Sequence, residues 1–385
     1  MIDETPISQN LKDLAFPRLS GTKYERKCFN IVNQKIEDLN LSPKIQDFSF
    51  STFYSRIFPK VSLSLLSWLL IILFFNFQLV FRLINLFIIL ISIIVLIIIT
   101  RNPEKLKIGR EYHSQNLYVK ISSQSHNRFP PISIFLFSHL DSKGQSFSIK
   151  IRIRLYNIWM TSFILSLMLI ILDYFIFFRH NFILFLFTFL ILIINSVSTV
   201  FVWLNTTNNK SKGAIDNASG VACVLEILRH FSNPKNRLKN LDLYFIFTGA
   251  EESGTVGVRY YYDFFMKNCD RNKTYIINFD SIAKRASLWD HGLINNKYFK
   301  SINYILENKE IMRLEKTHRF YIGSYSDGMF LLSKKFKGIG NGDKSSYHYI
   351  HSVKDDVDKI EITALKILSH FYTILLNEVD INLNQ

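Results

Sequence analysis

Cysteine is scarce in this chain: three among 385 residues, at Cys28, Cys223 and Cys269, with no pairing or metal-binding spacing. That excludes a disulfide scaffold and a thiolate metal site, and it fits a reducing compartment. No repeat, Pro-rich linker or low-complexity tail appears. The polar, acidic start Met1-Ile-Asp-Glu-Thr-Pro lacks the pattern of a signal peptide. Acidic residues are outnumbered, 31 against 46 Lys and Arg, which gives a net charge of +15. No recognised nucleic-acid motif accompanies that charge, and no nucleic-acid partner is expected. The basic residues gather beside apolar runs, so anionic lipid headgroups are the simpler attraction.

The more telling absence is of charge itself. None occurs from Val61 to Phe81, from Leu83 to Thr100, from Leu155 to Leu172 or from Asn181 to Asn209. Arg82 separates the first two runs, and Asp173, Arg179 and His180 mark a break between the others. Uncharged stretches of about 18 or more residues read as bilayer spans. The runs show no amphipathic period, which a soluble surface helix should have. The sequence therefore predicts four helices in two hairpins, near 61–81, 83–100, 155–178 and 181–204, with Asp173 at an interface rather than at mid-bilayer. Arg56, Lys60, Arg101, Lys105, Lys107, Arg110, Lys150, Arg152, Arg154, Lys210 and Lys212 flank the outer ends of these hairpins. Only Arg82 and Arg179 lie in the turns, so the remaining chain is expected on the cytoplasmic side. Each insertion holds an even number of spans, which returns the chain to one side. Residues 1–60, 101–154 and 205–385 can then build one domain, with hairpins at 61–100 and 155–204. About 300 residues are enough for a single α/β domain. A channel built from the spans would need a polar path, and few polar residues are available.

Five side chains suited to hard or borderline metal ions lie in order outside the hairpins: His139, Asp216, Glu252, Asp280 and His351. His139 and Asp141 follow the apolar run Ile132-Ser-Ile-Phe-Leu-Phe137, at a strand end where an i, i+2 pair shares a face. Asp216-Asn-Ala-Ser-Gly220 is a turn-prone opening to the helical pattern Val221–Arg229. Glu251 and Glu252 close the strand-like run Leu243–Phe247, and Asp280 closes Tyr275–Phe279. Strand ends of open α/β sheets are where ligands bind. Singly, each motif has a bland reading: a structural histidine, a solvated Glu pair, a helix cap. Their joint order and placement point instead to two zinc-like ions. Such ions, roughly 3.5–4 Å apart, lower the pKa of a water and polarise a carbonyl, the chemistry of amide hydrolysis.

At these motifs the sequence resembles the M28 metallopeptidases. The resemblance implies that Asp216 bridges two zinc ions, that His139 and Asp280 complete one coordination shell, and that Glu252 and His351 complete the other. It implies Glu251 as general base and Asp141 as the partner that orients His139. It extends to Leu19-Ser-Gly-Thr-Lys-Tyr-Glu-Arg-Lys with the helix after it, and to Lys44–Phe50 as a first strand. Ile215, Thr255, Val258 and Gly328 depart from the family pattern without touching a ligand, and His348 competes with His351 for the last position. The implied fold is a three-layer α/β/α sandwich around a mixed sheet, interrupted by the hairpins and closed by a helix over Ile360–Leu376. The implied function is that of a membrane-embedded zinc exopeptidase acting on peptides, an aminopeptidase ahead of a carboxypeptidase. Rival readings are a glutaminyl-cyclase-like enzyme with one zinc, against which His139 and Asp141 argue, and a non-catalytic peptide-binding homologue.

Overall fold

Three strands with continuous apolar runs carry the middle of the sheet. The computed structural model describes residues 2–75, 77–124, 131–176, 181–294, 296–307, 312–316 and 326–383. Among these, eight strands form one sheet: β1 (Lys44–Ser51), β2 (Glu111–Ile121), β3 (Ile132–His139), β4 (Leu241–Thr248), β5 (Thr274–Phe279), β6 (Ala286–His291), β7 (Met312–Lys316) and β8 (Lys337–Gly342). Their order is β1-β2-β4-β3-β5-β8-β6-β7. Strands β4, β3, β5 and β8 run parallel, while β2 and β6 pair antiparallel to their inner neighbours. Parallel strands are covered on both faces and so need continuous apolar sequence rather than alternation. Runs such as Phe135-Leu-Phe137 and Tyr275-Ile-Ile277 supply it.

The chain divides into two compact units, one of residues 1–50, 112–144 and 208–385, the other of residues 51–111 and 145–207. The helices in chain order are α1 (Glu4–Leu14), α2 (Lys23–Glu37), α3 (Phe58–Phe74), α4 (Leu79–Thr100), α5 (Ile149–Phe175), α6 (Phe182–Leu204), α7 (Ser219–Ser232), α8 (Val256–Phe264), α9 (Ile302–Glu307), α10 (Asp327–Ser333) and α11 (Ile362–Asn382). In the sheet-bearing unit, α1, α7 and α11 pack together on one face. There Phe279 meets Tyr372 of α11 with ring centroids 5.1 Å apart. On the other face α8 and α10 close over Phe135, Phe137, Ile246 and Ile276. The result is a three-layer α/β/α sandwich around a mixed sheet.

The second unit holds α3 to α6, and all four helices are long and apolar enough to cross a membrane. The first candidate span covers Phe53–Phe74, earlier than the predicted 61–81, because a π-helical turn at Phe53–Ile57 continues into α3. The break follows Phe74 rather than Arg82, and Arg82 sits inside α4, donating from Nη1 to the Tyr174 hydroxyl at 2.6 Å. A charged residue ends an apolar run in sequence, but it is a good helix former and does not end a helix. For the same reason α5 starts at Ile149, with Lys150, Arg152 and Arg154 in its first turns and Ser148 as its cap, rather than at 155. Arg179 and His180 lie outside the described residues. Helices α3, α5 and α6 share a buried polar cluster. Ser67 Oγ donates to Asn195 Oδ1 at 2.7 Å, Trp159 Nε1 donates to Thr199 Oγ1 at 2.9 Å, and Asn195 Nδ2 donates to Ser162 Oγ at 3.1 Å.

Candidate metal centre

Three adjacent parallel strands end at one edge of the sheet and deliver most of the candidate residues there. In register, His139 of β3 stands beside Thr248 of β4, and Phe137 beside Asn278 of β5. The two residues after Asn278 lead to Asp280, and the turn after Thr248 holds Glu251 and Glu252. Gly249 makes that turn possible: a Cβ there would lie 2.2 Å from Ser114 Oγ. Asp216 comes from the buried turn Ala214–Ala218 ahead of α7, which starts at Ser219, two residues before the predicted helix. Asn217 fixes the turn by donating to the Phe279 carbonyl at 2.8 Å and to Ser138 Oγ at 3.0 Å, and by accepting from the Gly220 and Ser281 amides. His351 follows the 3-10 turn Lys344–His348. Four residues on, Asp355 accepts the Ile215 amide at 2.6 Å, which ties the His351 loop to the Asp216 turn. His348 is exposed and stays out of the cluster.

The five residues form two groups that share Asp216: His139, Asp216 and Asp280, and then Asp216, Glu252 and His351, each with ligand atoms within 4.8 Å of one another. His139 Nε2 lies 3.1 Å from Asp216 Oδ1 and 3.7 Å from Asp280 Oδ1. His351 Nε2 lies 3.1 Å from Asp216 Oδ2 and 2.8 Å from Glu252 Oε1. Asp216 thus offers one oxygen to each group. On its other side, His139 Nδ1 faces the Asp141 backbone carbonyl at 3.1 Å and the Asp141 carboxylate at 3.4 Å. That carboxylate is engaged mainly elsewhere. It accepts the Glu251 amide at 3.1 Å, the Glu252 amide at 3.0 Å and the Ser20 hydroxyl, so it fixes the Glu pair as well as the histidine.

Several functional supports were not singled out in the sequence. Arg18, fully buried, binds only backbone carbonyls, and these come from both the His139 and the Asp216 loops. Glu25, buried in α2, accepts the Ala250 amide at 2.9 Å beneath the Glu pair. Lys143 places its ammonium 2.6 Å from Glu252 Oε2. Asp327 is buried and takes a hydrogen bond from Thr248 Oγ1. None of these had a local sequence signal, because each acts through partners distant in the chain.

Electrostatics follow from this crowding. Burial drives Glu251 well above the usual carboxylate range, with the neighbouring carboxylates adding to the rise. Burial also raises Asp327 to about 7. Asp216 and Glu252 go the other way. Burial would raise both, but the two histidines hold Asp216 low, and His351 and Lys143 bring Glu252 down to about 2. His139 suffers desolvation too, which its carboxylate neighbours more than offset, so its pKa lies well above normal.

Two buried atoms at the heart of the site, His139 Nε2 and Glu252 Oε1, make no hydrogen bond despite the short separations. Buried polar atoms rarely stay unsatisfied. The imidazole and carboxylate donors around them suit a divalent ion such as zinc. The residues present therefore fit a metal.

The sheet order, the strand-end site and the flanking helices define the fold of the zinc aminopeptidases. An aminopeptidase from Aneurinibacillus sp. strain AM-1 matches it with a TM-score of 0.58 at 13% identity, over 97% of this chain and 93% of that one. A zinc aminopeptidase from Bacillus subtilis matches at 0.55 and 13%, over 98% and 95%. A glutaminyl cyclase from Fimbriiglobus ruber matches at 0.54 and 12%, over 98% and 95%. Residues 196–374 match the model of Peptidase family M28. No curated protein sequence matches it.

Proposed function

We propose that this protein is a membrane-embedded zinc exopeptidase, an aminopeptidase, that hydrolyses peptide bonds with Glu251 as general base. The observation that carries the reading is the pair of three-donor groups sharing Asp216, with Glu251 beside them. His139, Asp216 and Asp280 would hold one ion; Asp216, Glu252 and His351 would hold the other. Bound there, zinc acidifies a water and polarises the scissile carbonyl. The chain's own residues do the rest. Glu251, buried beside the two groups, takes a proton from the attacking water on its carboxylate and returns it to the leaving amine. Asp141 holds Glu251 and Glu252 through their amides and orients the His139 ring. The peptidase domain is assembled from 1–50, 112–144 and 208–385, and α3 to α6 anchor it as two transmembrane hairpins. The excess of Lys and Arg at the outer hairpin ends supports a cytoplasmic domain in contact with anionic lipid.

Hydrolysis of free-amine and N-blocked peptides by detergent-purified protein, with metal counted, tests this. Activity on free-amine peptides that Glu251→Gln abolishes while two zinc ions remain is the expected result. A second reading draws support from the cyclase structures that share the fold. Ammonia release from N-terminal glutaminyl peptides, with one ion bound and no hydrolysis, would replace the aminopeptidase reading with it. Cysteine labelling at residue 82 from the cytoplasmic side alone would overturn the orientation.

A further inference from the structure

We infer that Lys143 is a positioning residue that restricts Glu252 to a single metal-ligating oxygen. The inference rests on the metal reading above and concerns how one of its ligands is presented. Lys143 Nζ lies 2.6 Å from Glu252 Oε2 and 3.4 Å from the Glu252 backbone carbonyl, so it grips both ends of the residue. The other carboxylate oxygen, Oε1, is the one that faces His351 Nε2 and makes no hydrogen bond. One oxygen is neutralised by an ammonium and the other is left for an ion. A carboxylate with both oxygens free can bind through two; one whose second oxygen carries a charge-assisted hydrogen bond has that oxygen's charge and position already committed, which disfavours a second bond to the same ion.

The loop that carries Lys143 is built to hold it there. Ser142, one residue before, donates its amide to the Arg18 carbonyl at 3.1 Å and accepts the Arg18 amide on its hydroxyl at 3.1 Å. Gly144, one residue after, lies so close to the 208–210 segment that a Cβ would fall 2.2 Å from Asn208 Oδ1. The side chain itself is 16% exposed, so the ammonium is largely withdrawn from water and its partner matters more than a surface pair would. The ammonium also offsets one negative charge in a site crowded with carboxylates.

The test uses the full-length protein with His139→Ala, which leaves this second group to hold a single ion. Its cobalt form is compared with and without Lys143→Met, and with Lys143→Arg. With Lys143 present the visible absorption should have the intensity of a four-coordinate ion. Lys143→Met should lower it several-fold as Glu252 turns to bind through both oxygens, and Lys143→Arg should restore it. In the zinc form with Lys143 present, X-ray absorption should give oxygens near about 2.0–2.2 Å only. Unchanged absorption in Lys143→Met, or a longer second zinc–oxygen distance with Lys143 present, overturns the inference and leaves the metal reading intact. Failure of the wild-type protein to bind cobalt or zinc sinks both. The zinc measurement needs no Lys143 variant, so it decides the matter even if Lys143→Met does not fold.

Discussion

Arg18 Nε donates to the Leu140 backbone carbonyl at 2.6 Å, one residue beyond His139. Its two remaining nitrogens donate to the carbonyls of Leu14, Phe16, Lys212 and Gly213. A single fully buried guanidinium thus joins the chain before α2 to the loops bearing His139 and Asp216. Methionine at this position would take a donor from five carbonyls, of which Leu14 and Gly213 keep a backbone amide. Hydrogen bonds to charged groups are worth about 1.5–3 kcal/mol each and do not add, so Arg18→Met should cost on the order of 3 kcal/mol or more. Denaturant unfolding of the purified protein measures it. Lysine, with three donors on one nitrogen, should recover only part.

Asp216 serves both donor groups, whereas Asp280 and His351 each serve one. Under buffered low zinc, Asp216→Ala should therefore lose both ions, while Asp280→Ala and His351→Ala should each lose one. Metal analysis after dialysis reads this directly. Retention of one tightly held ion by Asp216→Ala would refute the shared carboxylate.

Glu25 gives a pH dependence with a definite sign. Burial, reinforced by the Asp141 carboxylate, raises it to about 8, against the amides of Gly21 and Ala250 and the Ser114 hydroxyl that favour its charged form. An unfolded glutamate titrates near about 4.3. Between these values the folded chain keeps a proton that the unfolded chain has released. The corresponding stability is full below the lower value and is lost as pH rises through the upper one. The unfolding free energy should fall from pH 5 toward pH 9, and Glu25→Gln, which cannot ionise, should flatten that fall. Midpoints at three pH values for both proteins suffice.

The polar cluster of Ser67, Trp159, Ser162, Asn195 and Thr199 should hold α3, α5 and α6 together in detergent and bilayer alike. Interhelical hydrogen bonds of this kind are worth about 0.5–2 kcal/mol. Asn195→Leu should lower the temperature at which the solubilised protein loses helicity, without changing the zinc content of the folded fraction.

The sequence is most informative where a candidate ligand coincides with a strand end. His139, Glu251, Glu252 and Asp280 each follow an apolar run, and β3, β4 and β5 carry these runs side by side. The long apolar helices were equally legible, though their ends were displaced: a run ends at the first charge, while a helix such as α5 continues through Lys150, Arg152 and Arg154. What escaped were groups whose partners are remote. Arg18 looks like any basic residue until Leu140 and Gly213 fold around it, and Lys143 looks solvated until Glu252 is placed opposite. Glu25 belongs to a charged helix face by pattern, yet it is 4% exposed.

The sheet-bearing unit is drawn from three separated stretches of chain, 1–50, 112–144 and 208–385. Synthesis delivers them in that order, with two apolar helix pairs emerging in the gaps. His139 leaves the ribosome well before Asp216, and His351 comes after both. A nascent chain stopped anywhere before residue 351 would carry all four apolar helices or only some of them, but never a complete second donor group. In biogenesis, helices α3 to α6 are complete before the second donor group is.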